Sequence, residues 1–253
     1  MFGSAIDVTY TGSKIIVGSA ASVRVYELKQ EMDTGGLSAR WEIVRHIIKI
    51  LPDVTYGAVV AISPSGNRIA IGEPDSDDDY QGAVTIFNLD PYEVVIVLEG
   101  TRYEDKFGKS IALSADGNRV VVGAHWGDYV QAYEYLPQFD AWSLMGYKIY
   151  GDEDSDSFGL QVDMSHDGRR IAISAPSDST GGELAGLTQI YDYIDQDWVQ
   201  VGENIYGKDE FNYAGWSMSL SGDGKTVAVG SDWNADGGYK SGHVRIFEFG
   251  CKD

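Results

Sequence analysis

The sequence holds a single cysteine, Cys251, so no internal disulfide framework can staple the chain. Basic residues are also scarce: 19 Lys plus Arg stand against 39 Asp plus Glu, a formal charge of -20. A field of that sign repels phosphate backbones and anionic lipid surfaces, so nucleic acid is not an expected partner. No apolar run approaches the roughly 20 residues that span a bilayer, and no membrane insertion is expected. Residues 1–20 lack a basic segment followed by an apolar one, so no secretion signal is read there. Helical periodicity is missing as well; only residues 23–45 leave room for a helical turn. What is abundant is glycine, 31 residues, with 43% hydrophobic and 12% aromatic content, the composition of a folded, turn-rich protein.

The glycines are periodic. Five segments begin at Phe2-Gly3, Tyr56-Gly57, Phe107-Gly108, Phe158-Gly159 and Ala214-Gly215, so successive starts lie 54, 51, 51 and 56 residues apart. Nine residues after each first glycine stands another: Gly12, Gly66, Gly117, Gly168 and Gly224. Each lies in a turn such as Ser114-Ala115-Asp116-Gly117, where Asp-Gly and Ser-Gly pairs supply the positive φ that tight hairpins demand. Fifteen residues after the first glycine come Gly18, Gly72, Gly123, Ser174 and Gly230. Between turn and small residue run Ile15-Ile16-Val17, Ile69-Ala70-Ile71, Val120-Val121-Val122, Ile171-Ala172-Ile173 and Val227-Ala228-Val229, apolar runs expected of strands covered on both faces.

A third strand ends in an aromatic column, Tyr26, Phe87, Tyr133, Tyr191 and Phe247. A fourth opens at Trp41, Trp142 and Trp198, with Tyr92 near the same place in the second copy. These tryptophans recur at one repeat position and are read as packing between units. Antiparallel sheets repeated at this period predict an all-β, five-bladed β-propeller. It is expected as a single domain over 1–253 with repeats 1–53, 54–104, 105–155, 156–211 and 212–253. The blades are expected to be four-stranded, except that the fifth copy ends after its third strand at Phe247-Glu248-Phe249. A preceding segment, a three-stranded blade, or a strand added by a partner at that edge would each account for the missing strand.

The sequences Phe107-Gly108-Lys109-Ser110, Ser114-Ala115-Asp116-Gly117 and Val122-Gly123-Ala124 resemble the FG-GAP repeats of integrin-α-type propellers. The resemblance implies a ligand-recognising propeller at a cell surface or outside the cell. Calcium loops of that family carry several Asp between the first two strands, whereas each turn here offers at most Asp116, Asp167 or Asp223.

Function in such a fold is expected on loops, because the strands are committed to packing. Trp126 and Asp128 share one loop after a second strand; Trp233, Asn234 and Asp236 share another. An indole beside Asp and Asn can stack on a sugar ring while the polar groups orient its hydroxyls, and the same set suits a protein interface. The loop Asp75, Asp77, Asp79 has oxygens dense enough for Ca²⁺ but lacks the spacing of a calcium loop, and a solvated acidic loop is its alternative. Acidic residues recur before the first strands, as Glu104-Asp105, Asp152 to Asp156 and Asp209-Glu210, which suggests a structural task as hydrogen-bond acceptors.

No catalytic constellation is visible. His46, His125, His166 and His243 fall at unrelated repeat positions. Asp7 and Asp163 share a first-strand position and are the only candidates for a pair of channel carboxylates. The expected function is a non-enzymatic module that binds a protein partner or a surface glycan through loops on one face. A five-bladed carbohydrate-active enzyme and a structural repeat of a larger surface protein are the alternatives.

Overall fold

The computed structural model describes residues 2–19, 22–33, 36–48, 59–76, 80–152 and 156–249. Within them the chain is all strand and turn, laid out as five antiparallel sheets in a ring, a five-bladed β-propeller. The first blade is β1 (Phe2–Val8), β2 (Lys14–Ser19), β3 (Ser22–Asp33) and β4 (Gly36–Ile48). The second is β5 (Val59–Ile62), β6 (Arg68–Glu73), β7 (Ala83–Leu89) and β8 (Tyr92–Glu99). The described residues of 23–45 are therefore extended, β3 pairing with β4 without a helical turn among them; Val23 lies opposite Ile47, Val25 opposite Arg45 and Tyr26 opposite Ile43.

In the third blade β9 (Phe107–Leu113), β10 (Arg119–Ala124) and β11 (Tyr129–Leu136) are followed by β12 (Ala141–Leu144) and β13 (Ile149–Tyr150), which both pair with β11. The fourth blade repeats this with β14 (Val162–Met164), β15 (Arg170–Ala175), β16 (Leu187–Ile194), β17 (Asp197–Gln200) and β18 (Ile205–Tyr206). The outer strand of these two blades is thus split in two. The fifth blade has three strands, β19 (Ser217–Leu220), β20 (Thr226–Ser231) and β21 (His243–Glu248), with β21 at the edge.

The hairpin turn between first and second strands locks itself. Ser114 Oγ donates to Asp116 Oδ1 at 2.7 Å, Asn118 N–H donates to the same oxygen at 2.9 Å, and Arg119 N–H donates back to Ser114 Oγ at 2.9 Å. Ser165 with Asp167, and Ser221 with Asp223, form the same lock. The Ser-x-Asp-Gly sequence is therefore satisfied by protein groups alone.

The turns also chain to one another. Tyr10 N–H donates to Pro64 O, Ser65 N–H to Ala115 O, Ala115 N–H to His166 O and His166 N–H to Gly222 O, at 2.8–3.1 Å. All five turns converge on one mouth of the ring, around a cavity of about 730 Å³ that Tyr10 and His166 share edge to face. A basic column reinforces four of the joints: Lys14 Nζ donates to Gly66 O, Arg68 to Gly117 O, Arg119 to Asp167 O and Arg170 to Gly224 O.

The core lies between blades. One cluster joins blades one and two through Ile16, Val23, Val25, Val60, Ile69 and Ile71; three more join two to three, three to four and four to five. In blades two and three the glycine that ends the second strand makes this packing possible, because a Cβ on Gly72 or Gly123 would lie 2.3 Å from Gly108 O or 2.1 Å from Gly159 O of the next blade. Trp198 packs as expected of its repeat position: it is 8% exposed, and its Nε1–H donates to Met145 O of the preceding blade at 2.7 Å.

Candidate functional site

The strand order places the loops between second and third strands of blades three to five on the face opposite the mouth, together with the links into blades three and five. Trp126 and Trp233 occupy equivalent loops of that face two blades apart. Both are exposed, at 57% and 44%.

Trp233 lies in a pocket of about 430 Å³ between the link into blade five (Asp209, Glu210, Phe211, Asn212) and its own loop (Ala235, Asp236, Tyr239, Lys240). Tyr213 meets the indole edge-on at 5.3 Å, and the Lys240 ammonium rests 3.2 Å above the ring. Exposed cation–π contacts contribute only about 0.5–1 kcal/mol, so a ligand ring can displace this lysine at modest cost. Asp236 pairs with Lys208 at 2.8 Å on the exposed rim, and Lys208 holds its carboxyl below the usual range. Phe211, Tyr213 and Lys240 have φ of +58°, +51° and +51°, a backbone region that side chains of this size seldom adopt.

Asn234 stands differently from its neighbours. It is 1% exposed, donates to Asn212 Oδ1 at 3.0 Å and accepts from Asp236 N–H at 3.0 Å. Asp178 makes the same local turn in blade four, accepting from Thr180 N–H at 3.0 Å. The structure thus gives Asn234 the task of shaping the loop that presents Trp233.

Trp126 forms a second, flatter platform with residues from blade two. Lys106 Nζ lies 4.9 Å from its ring centre and 4.1 Å from that of Tyr80, and pairs with Asp75 at 2.5 Å. His125 beside it is pushed down to about 4 by burial and by Lys109 and Lys106, so it is neutral at ordinary pH. Asp128 is turned toward Asp156, whose carboxyl burial raises to about 7, with the charges of Asp128 and Asp178 adding to the shift. Of the Asp75, Asp77, Asp79 loop, only Asp75 lies within the described residues. Among those residues no group of three or more His, Cys, Asp or Glu is placed to hold a metal ion.

Of the recurrent acidic residues, Asp105 and Asp156 are buried acceptors, whereas Asp152, Asp209 and Glu210 are exposed. Asp105, 1% exposed, takes N–H donors from Thr101 and Arg102 at 2.9 Å and the Tyr129 hydroxyl at 2.9 Å, and Asp156 accepts from Phe158 N–H at 2.8 Å. Asn212 fills the same position before blade five. They brace the entry into blades three, four and five, Asp156 through Phe158 beside it and Asp105 and Asn212 also through Tyr129 and Asn234 of the same blade.

Asp7 and Asp163 line the inner strands. Asp7 Oδ2 accepts Ile62 N–H at 2.8 Å and Asp163 Oδ2 accepts Leu220 N–H at 2.6 Å, so each hooks its strand to the next blade. Burial raises both carboxyls, and Asp163 also feels the charge of Asp7.

Phe211, Tyr239, Lys240 and Lys208 were not singled out by sequence reasoning. They come from two segments about 25 residues apart that only blade packing unites; the Gly237-Gly238 pair before Tyr239 was the available hint of a special loop.

No protein-family model matches the chain. No curated protein matches it either. Among solved structures, a chain of Kuenenia stuttgartiensis hydrazine synthase is similar in fold, with a TM-score of 0.61 and 16% identity. The match covers 97% of this chain and 62% of that one, so this chain spans less than two thirds of its neighbour's length. Identity this low carries the architecture alone.

Proposed function

We propose that the chain is a non-enzymatic binding module that takes a carbohydrate on the face opposite the turn mouth, at the Trp233 pocket. One observation carries the reading: an exposed indole forms the floor of a small pocket whose rim offers both carboxylate acceptors and lysine donors. An apolar ring for stacking plus hydroxyl partners of both kinds is what a neutral sugar requires. The Phe-Gly, Ser-x-Asp-Gly and Gly-Ala columns support an FG-GAP type of repeat, which in turn supports placement at a cell surface or outside the cell.

A glycan array tests this reading. Wild type binds a defined subset of glycans; Trp233→Ala lowers affinity roughly tenfold to hundredfold, in line with one lost stacking contact of about 1–3 kcal/mol. Trp126→Ala leaves it within about twofold. An array without binders, together with a protein captured through the same face, would move the module to protein recognition.

A second reading, a carbohydrate-active enzyme, is favoured by the raised carboxyls of Asp7 and Asp163 facing one channel. Polysaccharide turnover that disappears in Asp163→Asn would establish it in place of the first.

A further inference from the structure

Each blade presents two apolar faces, one toward the blade before it and one toward the blade after. The face toward the next blade is built on the third strand: Val25, Ile86, Ala132 and Ile190 hold one position in blades one to four and are at most 1% exposed. Ile246 holds that position in blade five, opposite Ala228 as Ile190 is opposite Ala172, and is 68% exposed. Its neighbour Val244 is 66% exposed, whereas its counterparts Val23, Val84, Val130 and Thr188 are at most 1%.

The opposite face of blade one tells the same story. Val60 and Ile62 of blade two are 7% and 3% exposed where they meet blade one; Ile6 and Val8, at the same positions of blade one, are 69% and 51% exposed. A Cβ on Gly66 would touch Thr9 of the preceding blade at 2.9 Å, but one on Gly12 would meet nothing within 4 Å. Trp41 is 43% exposed where its counterpart Trp198 is buried on the preceding blade. Among the described residues four joints are packed, and the fifth, between blade five and blade one, is not.

We propose that these two faces bind each other between molecules, blade five of one copy stacking on blade one of a second copy. A second copy is the indicated occupant because the two free surfaces are the two halves of a joint that the chain already makes four times with the same residue columns. The contact continues the internal interface in kind. It is heterologous, head to tail, and two copies can satisfy both ends only if the rotation closes. The basic latch is missing at this joint, since Thr226 stands where Lys14, Arg68, Arg119 and Arg170 stand, so the contact rests on apolar burial. Each copy carries a formal charge of -20, so salt that screens this repulsion strengthens the association.

Sedimentation of the full chain over a concentration series, at low and high salt, tests the proposal. Wild type self-associates, more strongly in high salt. Ile246→Asp and Ile6→Asp, each at an exposed position and checked for wild-type circular dichroism and melting, are both monomeric. Mixing the two restores a dimer, because each retains the half that the other lacks. A wild type that stays monomeric in high salt overturns the proposal. So does a mixture that remains monomeric, or a wild-type monomer whose Val244 to Ile246 amides and side chains are shielded by closure within one chain.

Discussion

Asp156 concentrates the electrostatic strain of the molecule in one side chain. It is 4% exposed, and its carboxyl sits at about 7, raised chiefly by burial and further by Asp128 and Asp178, against the N–H of Phe158 that favours its charged form. An unfolded Asp titrates near 3.9. Between about pH 4 and pH 7 the native state therefore binds more protons than the unfolded one, and stability falls as pH rises through that window, then levels off. Asp156→Asn keeps an oxygen for Phe158 N–H and carries no charge. Its melting temperature should exceed wild type by at least roughly 2–4 °C at pH 8, with the difference closing toward pH 4. A difference that is the same at both pH values would contradict the assignment.

At the scale of elements, the hairpin of first and second strands is where sequence and structure agree most closely. The spacings of nine and fifteen put the turn lock and the close approach of blades into the sequence itself, since both depend on residues within one hairpin and its immediate successor. The split of the outer strand is marked locally only by Gly146 and Gly202, whose φ of +75° breaks it in blades three and four, and a lone glycine does not say which neighbour the second piece pairs with. The basic column was present in the sequence two residues past the first four turn glycines, with Thr226 after the fifth. Its meaning emerges only when the turns stack and a guanidinium finds the next carbonyl. The pocket around Trp233 failed to show for the same reason: Trp233 and Asp236 lie in one short loop, whereas Phe211 and Lys208 reach it from the link into the blade.

Two glycines separate the causes that fix them. Gly123→Ala places a methyl 2.1 Å from the Gly159 carbonyl, and should cost about 3 kcal/mol of stability through overpacking. Gly12→Ala meets no atom, and only its φ of +67° opposes it, so about 1 kcal/mol is expected. Chemical denaturation of both variants checks the order; equal costs would mean that close blade contact is not what Gly123 serves.

For the whole molecule, the ring separates labour between its two ends. One end gathers five self-locked turns, bonded in series; the other carries long, variable loops with exposed aromatic rings on two platforms. Strands hold fixed positions through interblade burial, so the loops can vary without loss of the scaffold. The negative field over the whole surface favours uncharged or basic ligands over phosphates.

The most direct test of this account is a heteronuclear NMR titration of the chain with the tightest-binding glycan from the array. The account predicts shifts of the Trp233 indole N–H and of backbone amides in residues 208–213 and 232–242, with the inner strands around Asp7 and Asp163 unmoved. Shifts centred on Asp7 and Asp163, with Trp233 silent, would contradict it.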